Sequence, residues 1–367
     1  MVPPLLIDPA FWVSDENWGA EAFPRISELK GHVFFRTSGS TGDAKWIALS
    51  KAALLLSAAA VNRHLEVTED SVWGLPLPIH HVGGFGVVAR SYEAACRLSE
   101  FSGKWEPHAF TQWLEETRVT HTSLVPTQVH DLVKAGLHAP SSLVAIVVGG
   151  GKLDKATGQS ARDRGWPVLA SYGMTEACSQ IATQALEALK TPYQPAPLPI
   201  LPIWNTRLAG TGNLEISGPA LFSGMVKKGI YHPRLCEWHE TSDRVLLGNA
   251  AISPLGRADF TVKILGELVN PEEVASEIMT ISIGALHPRN FAVVAISDAR
   301  AGHALIPVIE GQMDGGEMEI FLSQYNASAA GYRRVGKPVS ISEFPRTELG
   351  KLRHKELAQW VEKEFLH

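Results

Sequence analysis

The residues from Thr37 to Lys45 combine small glycine and hydroxyl side chains with one lysine, in the order TSGSTGDAK. Glycines let backbone N–H groups approach an anion, hydroxyl groups add hydrogen-bond donors, and the ammonium group of Lys45 adds a positive charge. A Walker A loop is excluded, because that motif needs glycine before its lysine and serine or threonine after it, where this chain has Ala44 and Trp46. Alone, the stretch indicates a phosphate site only weakly, and a flexible turn ahead of a helix is the alternative.

Four further motifs follow this stretch, and all five together resemble the adenylate-forming superfamily of acyl-CoA synthetases, luciferases and peptide-synthetase adenylation domains. The later motifs are SYGMTE at 171–176, TSD at 241–243, GRADFTVKILGELVNPEEV at 256–274 and PRTELGK at 345–351. Because five matches in the right order are very improbable by chance, the chain is identified as a member of that superfamily.

The resemblance implies a two-step reaction that uses ATP, Mg²⁺ and coenzyme A as a co-substrate. A carboxylate attacks the α-phosphate of ATP, which gives an acyl-adenylate and pyrophosphate, and the thiol of CoA then displaces AMP. The first step brings two anions together, so cations are needed where negative charge accumulates. The resemblance therefore predicts an AMP-forming acid–thiol ligase.

The resemblance also assigns nucleotide-binding roles to individual positions. The phosphate loop should wrap the β- and γ-phosphates, Tyr172 should stack on the adenine, Thr175 should contact a phosphate, and Glu176 should bind magnesium, since an acidic group beside phosphates needs a metal between them. Without the family, Tyr172 reads as a core aromatic, Glu176 as a solvated loop residue, and the glycines at 149–151 as a tight strand-to-helix turn. The predicted ATP-binding residues up to position 175 are Thr37, Ser38, Gly39, Ser40, Thr41, Gly42, Lys45, Gly149, Gly150, Gly151, Ser171, Tyr172, Gly173, Met174 and Thr175.

Four residues in the second half of the chain complete the assignment of site residues. Asp243 matches the aspartate that accepts from the ribose hydroxyl groups, and Arg257 matches the arginine near it. Asp259 matches the hinge about which a small domain rotates between the half-reactions. Lys351 matches the catalytic lysine that bridges the carboxylate and the α-phosphate. A surface salt bridge for Asp243 and Arg257, and a solvated surface position for Lys351, are the alternatives.

The acid substrate is indicated by PIHHVGGFGVVAR at 78–90 and SYGMTEACSQIAT at 171–183, which look most like the o-succinylbenzoate–CoA ligase family of menaquinone biosynthesis. The resemblance places Arg90 and Ser179 near the carboxylates of the substrate, with His81 lining the pocket in a substrate-binding and catalytic role. A dianionic acid needs such a cationic, hydroxyl-bearing pocket, whereas a fatty acid needs an apolar tunnel. The alternatives are a strand-end histidine for His81 and a surface helix position for Arg90.

Two other functions stay open: a CoA ligase for another aryl or aliphatic acid, and a non-catalytic nucleotide-binding relic. Retention of Glu176, Arg257 and Lys351 together argues against the relic. The chain departs from the family at Ala44, which replaces the usual proline, and at Ser242, which replaces a glycine. Only 36 residues precede the phosphate loop, where the family has more than a hundred. We therefore expect a shortened N-terminal lobe.

The composition is that of an ordinary globular protein, with 367 residues, 45% hydrophobic, 19% charged and a net charge of -5. The charges are scattered, so neither a nucleic-acid footprint nor a polybasic membrane patch is indicated, and small molecules are the expected partners. Three separated cysteines give no disulfide framework and favour a reducing cytoplasm. No segment predicts membrane insertion, and a homodimer is compatible with the sequence.

The elements that must position these residues alternate between strand and helix, which predicts the α/β class. Strands at 33–37, 122–127, 143–150 and 168–173 alternate with helices at 51–63, 108–117 and 128–136, with Ser50 as an N-cap. The pattern is typical of mostly parallel sheets wrapped by helices, with ligands at the carboxyl ends of the strands. We predict a large ATP- and acid-binding domain at 1–258 and a small, mobile α+β domain at 259–367 that carries Lys351.

Overall fold

The computed structural model describes residues 2–19, 26, 29–38, 44–282, 285–287, 290–311, 315–348 and 350–365. The chain divides into two compact units, Met1–Thr241 with Leu246–Ser253, and Ser242–Val245 with Pro254–His367. The helices are α1 Pro4–Ile7, α2 Pro9–Val13, α3 Lys51–His64, α4 Val82–Glu93, α5 Pro107–Thr117, α6 Pro126–Lys134, α7 Lys155–Asp163, α8 Pro271–Ile281, α9 Gly315–Ser328 and α10 His354–Phe365.

The strands form several sheets, and the α/β class is as predicted. Their bounds are β1 His32–Ser38, β2 Ala44–Ser50, β3 Val72–Leu75, β4 Arg97–Glu100, β5 His121–Leu124, β6 Ala145–Val148, β7 Val168–Tyr172, β8 Ala182–Thr183, β9 Leu198–Pro199, β10 Asn205–Leu208, β11 Asn213–Ser217, β12 Gly224–Lys227, β13 Ile230–Pro233, β14 His239–Gly248, β15 Ala251–Arg257, β16 Val262–Ile264, β17 Glu267–Val269, β18 Phe291–Asp298, β19 Gly302–Glu310 and β20 Val339–Ile341.

A six-stranded sheet of order β4-β3-β5-β6-β7-β8 forms the parallel part of the fold. Its first five strands run parallel and β8 pairs antiparallel with β7. Strands β3, β5 and β6 are buried at every position, because helices cover both faces of a parallel sheet. The segment after β7 therefore leaves the sheet at its carboxyl edge, where we expected ligand-binding residues.

The strands that flank the phosphate loop belong to a different sheet, of order β1-β2-β12-β13. Strands β1 and β2 form an antiparallel hairpin in which Thr37 pairs with Lys45. Strand β2 lies between the phosphate loop and α3, so the alternative of a turn directly ahead of a helix is wrong. The side chain of Ser50 accepts the backbone N–H of Ala53 at 3.1 Å, as its N-cap prediction requires. A third sheet has the order β10-β11-β14-β15-β9.

Lys51, the first residue of α3, ties the N-terminal helices to this unit. Its side chain is buried, and its ammonium group donates to the carbonyl oxygen of Phe11 and, at 3.1 and 3.2 Å, to the carbonyl oxygen and hydroxyl of Ser14. The same group lies 3.7 Å from the centroid of the Phe11 ring. A buried ammonium group that is fully hydrogen-bonded stabilises the contact, whereas its removal leaves buried acceptors without a donor.

We expect Lys51→Met to lower the free energy of unfolding by about 2 kcal/mol, because the acceptors on Phe11 and Ser14 lose a charged donor. Urea unfolding and limited proteolysis of the N-terminal helices measure the effect. Lys30→Met is the matched control, since the Lys30 side chain is 70% exposed and contacts Asp15 only at 3.7 Å. That variant should shift stability by less than about 0.5 kcal/mol. Equal losses of stability in the two variants would contradict a stabilising role for the Lys51 hydrogen bonds.

The second unit is built on a three-stranded sheet of order β18-β19-β20. Alternate residues of β18 face opposite sides, so Phe291 and Val293 pack with α8 and α9 while Ala292 and Val294 pack with α10. Helix α10 follows directly on the segment that carries Lys351. Among the described residues of the chain, no helix is both long and apolar enough to cross a membrane.

Candidate active site

In the first unit, the phosphate-loop lysine and the predicted magnesium ligand form an ion pair. Nζ of Lys45, at the start of β2, donates to Oε1 of Glu176 at 2.9 Å, and their side chains are 26% and 15% exposed. Glu176 lies in a 3-10 helix of residues Thr175–Ala177 directly after β7, and its carbonyl oxygen accepts the N–H of Phe222 at 2.9 Å. Two residues that are 131 positions apart therefore meet between two sheets.

The charge state of Glu176 suits a divalent cation. Burial alone would raise the pKa of this carboxyl, but the ammonium group of Lys45, its hydrogen bond and a backbone hydrogen bond together lower the pKa below its ordinary value. Glu176 is thus ionised at neutral pH and presents the hard oxygen ligands that Mg²⁺ prefers. Glu176 would hold the ion, which supplies charge neutralisation at the phosphates when bound, and Lys45 would then pair with phosphate oxygen.

A histidine that the sequence analysis did not single out lies in the same neighbourhood. His239, at the start of β14, packs edge-on against Phe222 with ring centroids 4.9 Å apart. Burial lowers the pKa of His239, the charges of Lys45 and Arg234 lower it further, and Glu176 opposes them. His239 is therefore held neutral beside the ion pair. The motif search missed it because it precedes the TSD motif at a position with no assigned chemistry.

The segment Ser171–Gln180 folds back on itself and brings nucleotide and acid residues together. The N–H of Ser179 donates to the carbonyl of Met174 at 3.2 Å, and the N–H of Ile181 donates to the carbonyl of Tyr172 at 2.9 Å. A Cβ at Gly173 would lie 1.5 Å from the carbonyl oxygen of Ser179, so only glycine fits there. Ser179 has a φ of 100°, a strained value for a residue with a side chain, which the crossing imposes.

The glycines predicted at the adenine follow β6. Gly150 has a φ of 77°, which accounts for glycine at that position. A Cβ at Gly149 would meet nothing within 4 Å, and one at Gly151 would meet only Pro126 at 3.5 Å. Space is thus left open on this side of the segment, as a flat ligand would need. The tight-turn alternative accounts for Gly150 but not for its neighbours.

Arg90, near the end of α4, is buried and only 2% exposed, so a surface position is excluded. Its Nη1 donates to Oγ of Ser123 at 3.2 Å, and its Cζ lies 5.3 Å from the centroid of the Trp73 ring. In the described part of the chain no carboxylate pairs with it. Burial lowers the pKa of Arg90 to about 10, so the guanidinium remains charged at neutral pH. A buried cation without a counterion is costly, so an anion that reached this guanidinium would be attracted to it.

The other residues assigned to the acid lie on the same helix and on the segment after β7. His81 is the N-cap residue of α4 and is half-buried, with its ring 4.5 Å from that of His80. Ser179 lies beside Gly86, because a Cβ built at Gly86 would be 3.7 Å from Cβ of Ser179 and 3.2 Å from Nη2 of Arg90. Arg90 and Ser179 therefore both lie beside Gly86. Cys178 is buried, and burial raises the pKa of its thiol, so this residue packs as a neutral side chain.

In the second unit, Asp243 and Arg257 lie together, with Oδ1 and Nη1 3.7 Å apart and side chains 15% and 38% exposed. Lys351 is exposed on a short turn, in which its N–H donates to Oγ1 of Thr347 at 3.1 Å and its carbonyl accepts the N–H of Thr347 at 2.8 Å. This turn presents the ammonium group of Lys351 outward. The side chains of Ser38 and Asp259, and residues Gly39, Ser40, Thr41 and Gly42, lie outside the described residues.

Glu272 is a further charged residue of the second unit that the sequence analysis did not assign. Its Oε1 lies 3.1 Å from Nε2 of His354. Burial would raise the pKa of Glu272, but the hydrogen bond and charge of His354, with the charges of Lys351 and Arg257, lower it. Glu272 therefore joins the start of α8 to α10, directly after the Lys351 turn. The sequence did offer one indication of this residue, because Glu272 lies inside the motif at 256–274.

Comparison with known proteins identifies the family of this chain. The sequence profile described as "AMP-binding enzyme" matches residues 24–224, more than half of the chain. The chain belongs to the AMP-binding enzyme family. A 2-succinylbenzoate–CoA ligase of Enterococcus faecalis is 27% identical over 352 residues, which cover 90% of this chain and 70% of that protein. The predicted superfamily membership is confirmed, and the family and this relative support an AMP-forming acid–CoA ligase.

Solved structures share the fold. The o-succinylbenzoate CoA synthetase of Bacillus subtilis with its acyl-adenylate OSB-AMP has a TM-score of 0.73 at 23% identity, covering 89% of this chain and 68% of that one. The same synthetase with ATP and magnesium ion has a TM-score of 0.74 at 23% identity, covering 89% and 69%. At this identity the likeness establishes the fold alone.

Proposed function

We propose that this protein is an ATP-dependent o-succinylbenzoate–CoA ligase. The observation that carries the proposal is the buried guanidinium of Arg90, which has no carboxylate partner among the described residues and lies, with Ser179, beside Gly86. A dicarboxylic acid can place one carboxylate there while its other carboxylate reacts. The relatives named as 2-succinylbenzoate–CoA ligases support the same substrate.

The proposed reaction has two steps. A carboxylate oxygen of the acid attacks the α-phosphorus of ATP, and the bond to the bridging oxygen of pyrophosphate breaks. The thiolate of CoA then attacks the acyl carbon, and AMP leaves with the electron pair of the broken C–O bond. Lys351 would stabilise the charge on the carboxylate and α-phosphate in the first step, because both reacting groups are anions. Tyr172, Asp243 and Arg257 would hold the nucleoside.

The substrate is tested with a pair of acids that differ in a single group. The purified protein with ATP and Mg²⁺ should release pyrophosphate with o-succinylbenzoate and form its thioester when CoA is added. With 3-benzoylpropionate, which lacks the ring carboxylate, kcat/KM should be lower by a factor of about 100, the value of one charge-assisted hydrogen-bonded pair. Preference for simple aryl or fatty acids would replace the proposal with a ligase for another acid.

Arg90→Leu should remove this discrimination. We expect kcat/KM for o-succinylbenzoate to fall by about 100-fold, and that for 3-benzoylpropionate to change by less than about threefold, since only the dianion uses the guanidinium. Binding of AMP, measured by calorimetry, is the control for folding, and Arg90→Lys should recover only part of the loss because it cannot bind a carboxylate bidentately. A similar loss of activity with both acids, with AMP binding retained, would contradict the role of Arg90.

A further inference from the structure

Helix α4 contains three glycines, at 83, 84 and 86. A glycine inside a helix costs about 1 kcal/mol relative to alanine, so each position needs a physical reason. At Gly84 the reason is backbone packing, because a Cβ would lie 2.3 Å from the carbonyl oxygen of Pro78. At Gly83 a Cβ would meet only Cδ1 of Leu77 at 3.7 Å, an ordinary contact. Neither glycine is related to the acid site.

Gly86 differs from both. A Cβ built there would have as its three nearest atoms Nη2 of Arg90 at 3.2 Å, Cζ of Arg90 at 3.6 Å and Cβ of Ser179 at 3.7 Å. All three belong to side chains, and both residues are those assigned to the acid. The absent side chain therefore lets the guanidinium of Arg90 pack directly against position 86, and none of these nearest atoms is a backbone atom that would require glycine.

The guanidinium of Arg90 cannot retreat freely from an added group at position 86. Its Nη1 is bonded to Ser123, and the ring of Trp73 lies 5.3 Å from its Cζ. A methyl group at 3.2 Å from Nη2 would require a shift of a few tenths of an ångström, which is small for folding. The same shift is large for an ionic hydrogen bond, whose strength depends on distance and alignment.

We propose that Gly86 is a specificity-determining residue, because it lets the guanidinium of Arg90 take the position in which Nη2 binds the second carboxylate of a dicarboxylic acid. The inference rests on the proposed function and adds the residue that sets the position of that guanidinium. A side chain at position 86 would displace Nη2 of Arg90. A monocarboxylic acid of otherwise equal shape does not use that guanidinium, so its turnover does not depend on the residue at 86.

Gly86→Ala and the control Gly83→Ala test this inference with o-succinylbenzoate and 3-benzoylpropionate. For Gly86→Ala, we expect KM for o-succinylbenzoate to rise by about tenfold or more with kcat little changed, and KM for 3-benzoylpropionate to change by less than about threefold. Gly83→Ala should change KM for either acid by less than about twofold, because its Cβ makes only an ordinary contact. Thermal unfolding should show no loss of stability in either variant.

Gly86→Ser is the second variant, because its hydroxyl can accept a hydrogen bond from Nη2 and so occupy the donor that the carboxylate would use. An unchanged KM for o-succinylbenzoate in Gly86→Ala and Gly86→Ser would overturn the inference, as would equal losses for both acids. The wild-type protein reports separately on the proposed function: if it does not turn over o-succinylbenzoate, the function fails and this inference fails with it.

Discussion

Lys351→Ala should abolish most of the adenylation half-reaction and leave the fold intact. The ammonium group is exposed, and the hydrogen bonds that hold its turn are made by backbone atoms and by Thr347. Loss of a cation that stabilises charge only in the transition state should lower kcat by a factor of about 100 to 1,000. Stability should change by less than about 0.5 kcal/mol, because no buried contact is removed.

Exchange of labelled pyrophosphate into ATP isolates this half-reaction. Thioester formation from a pre-formed acyl-adenylate should survive in the variant, since that step does not join a carboxylate to the α-phosphate. Lys355→Ala is the matched control: Lys355 is also exposed and lies four positions further along the chain, in α10. The assignment is wrong if Lys355→Ala and Lys351→Ala reduce exchange equally, or if neither does.

Glu176→Gln should weaken the use of magnesium–ATP, and it should affect binding of the acid substrate less. The substitution keeps the shape of the side chain and the carbonyl that Phe222 bonds, but it removes the charge that Lys45 contacts at 2.9 Å. We expect kcat to fall by about 100-fold and the Mg²⁺ concentration for half-maximal activity to rise by about tenfold, because an amide is a poor ligand for this ion.

The measurement has two parts, a Mg²⁺ titration of pyrophosphate release and calorimetry of ATP binding with and without Mg²⁺. In the variant, the gain in ATP affinity on adding Mg²⁺ should largely disappear, while metal-free binding is retained or improved because Lys45 is free to pair with phosphate. Glu187→Gln, at an exposed carboxylate, is the control. An unchanged Mg²⁺ dependence would remove Glu176 from the metal site.

Much of the fold follows from local sequence signals. Strands β6 and β7 and helices α3 and α5 lie close to their predicted positions, because apolar runs and caps such as Ser50 act over a few residues. Strand β2 was not predicted, because no strand was expected between the phosphate loop and α3. Its partners include β12, almost 180 positions away in the chain, and no local pattern encodes that pairing.

The site was predicted only in part, because contacts between residues far apart in the chain leave no local sequence pattern. Motif resemblance supplied Lys45 and Glu176, and the structure joins them, but the resemblance did not indicate that they form an ion pair. The burial of Arg90 depends on Trp73 from β3 and Ser123 from β5, which meet only in the folded sheet. Residues without a motif role, such as His239 and Glu272, could be recognised only from their neighbours in space.

The crossing at Gly173 limits how this enzyme can change its substrate. The segment from Ser171 to Gln180 carries the proposed adenine, phosphate, metal and acid contacts in ten residues, and it closes on itself where Gly173 meets the carbonyl of Ser179. A new residue at 179 therefore also disturbs the nucleotide side, so variation there is constrained. Helix α4 bears no assigned nucleotide contact. New acid preferences should thus arise, in natural variation or in directed evolution, through positions 86 and 90.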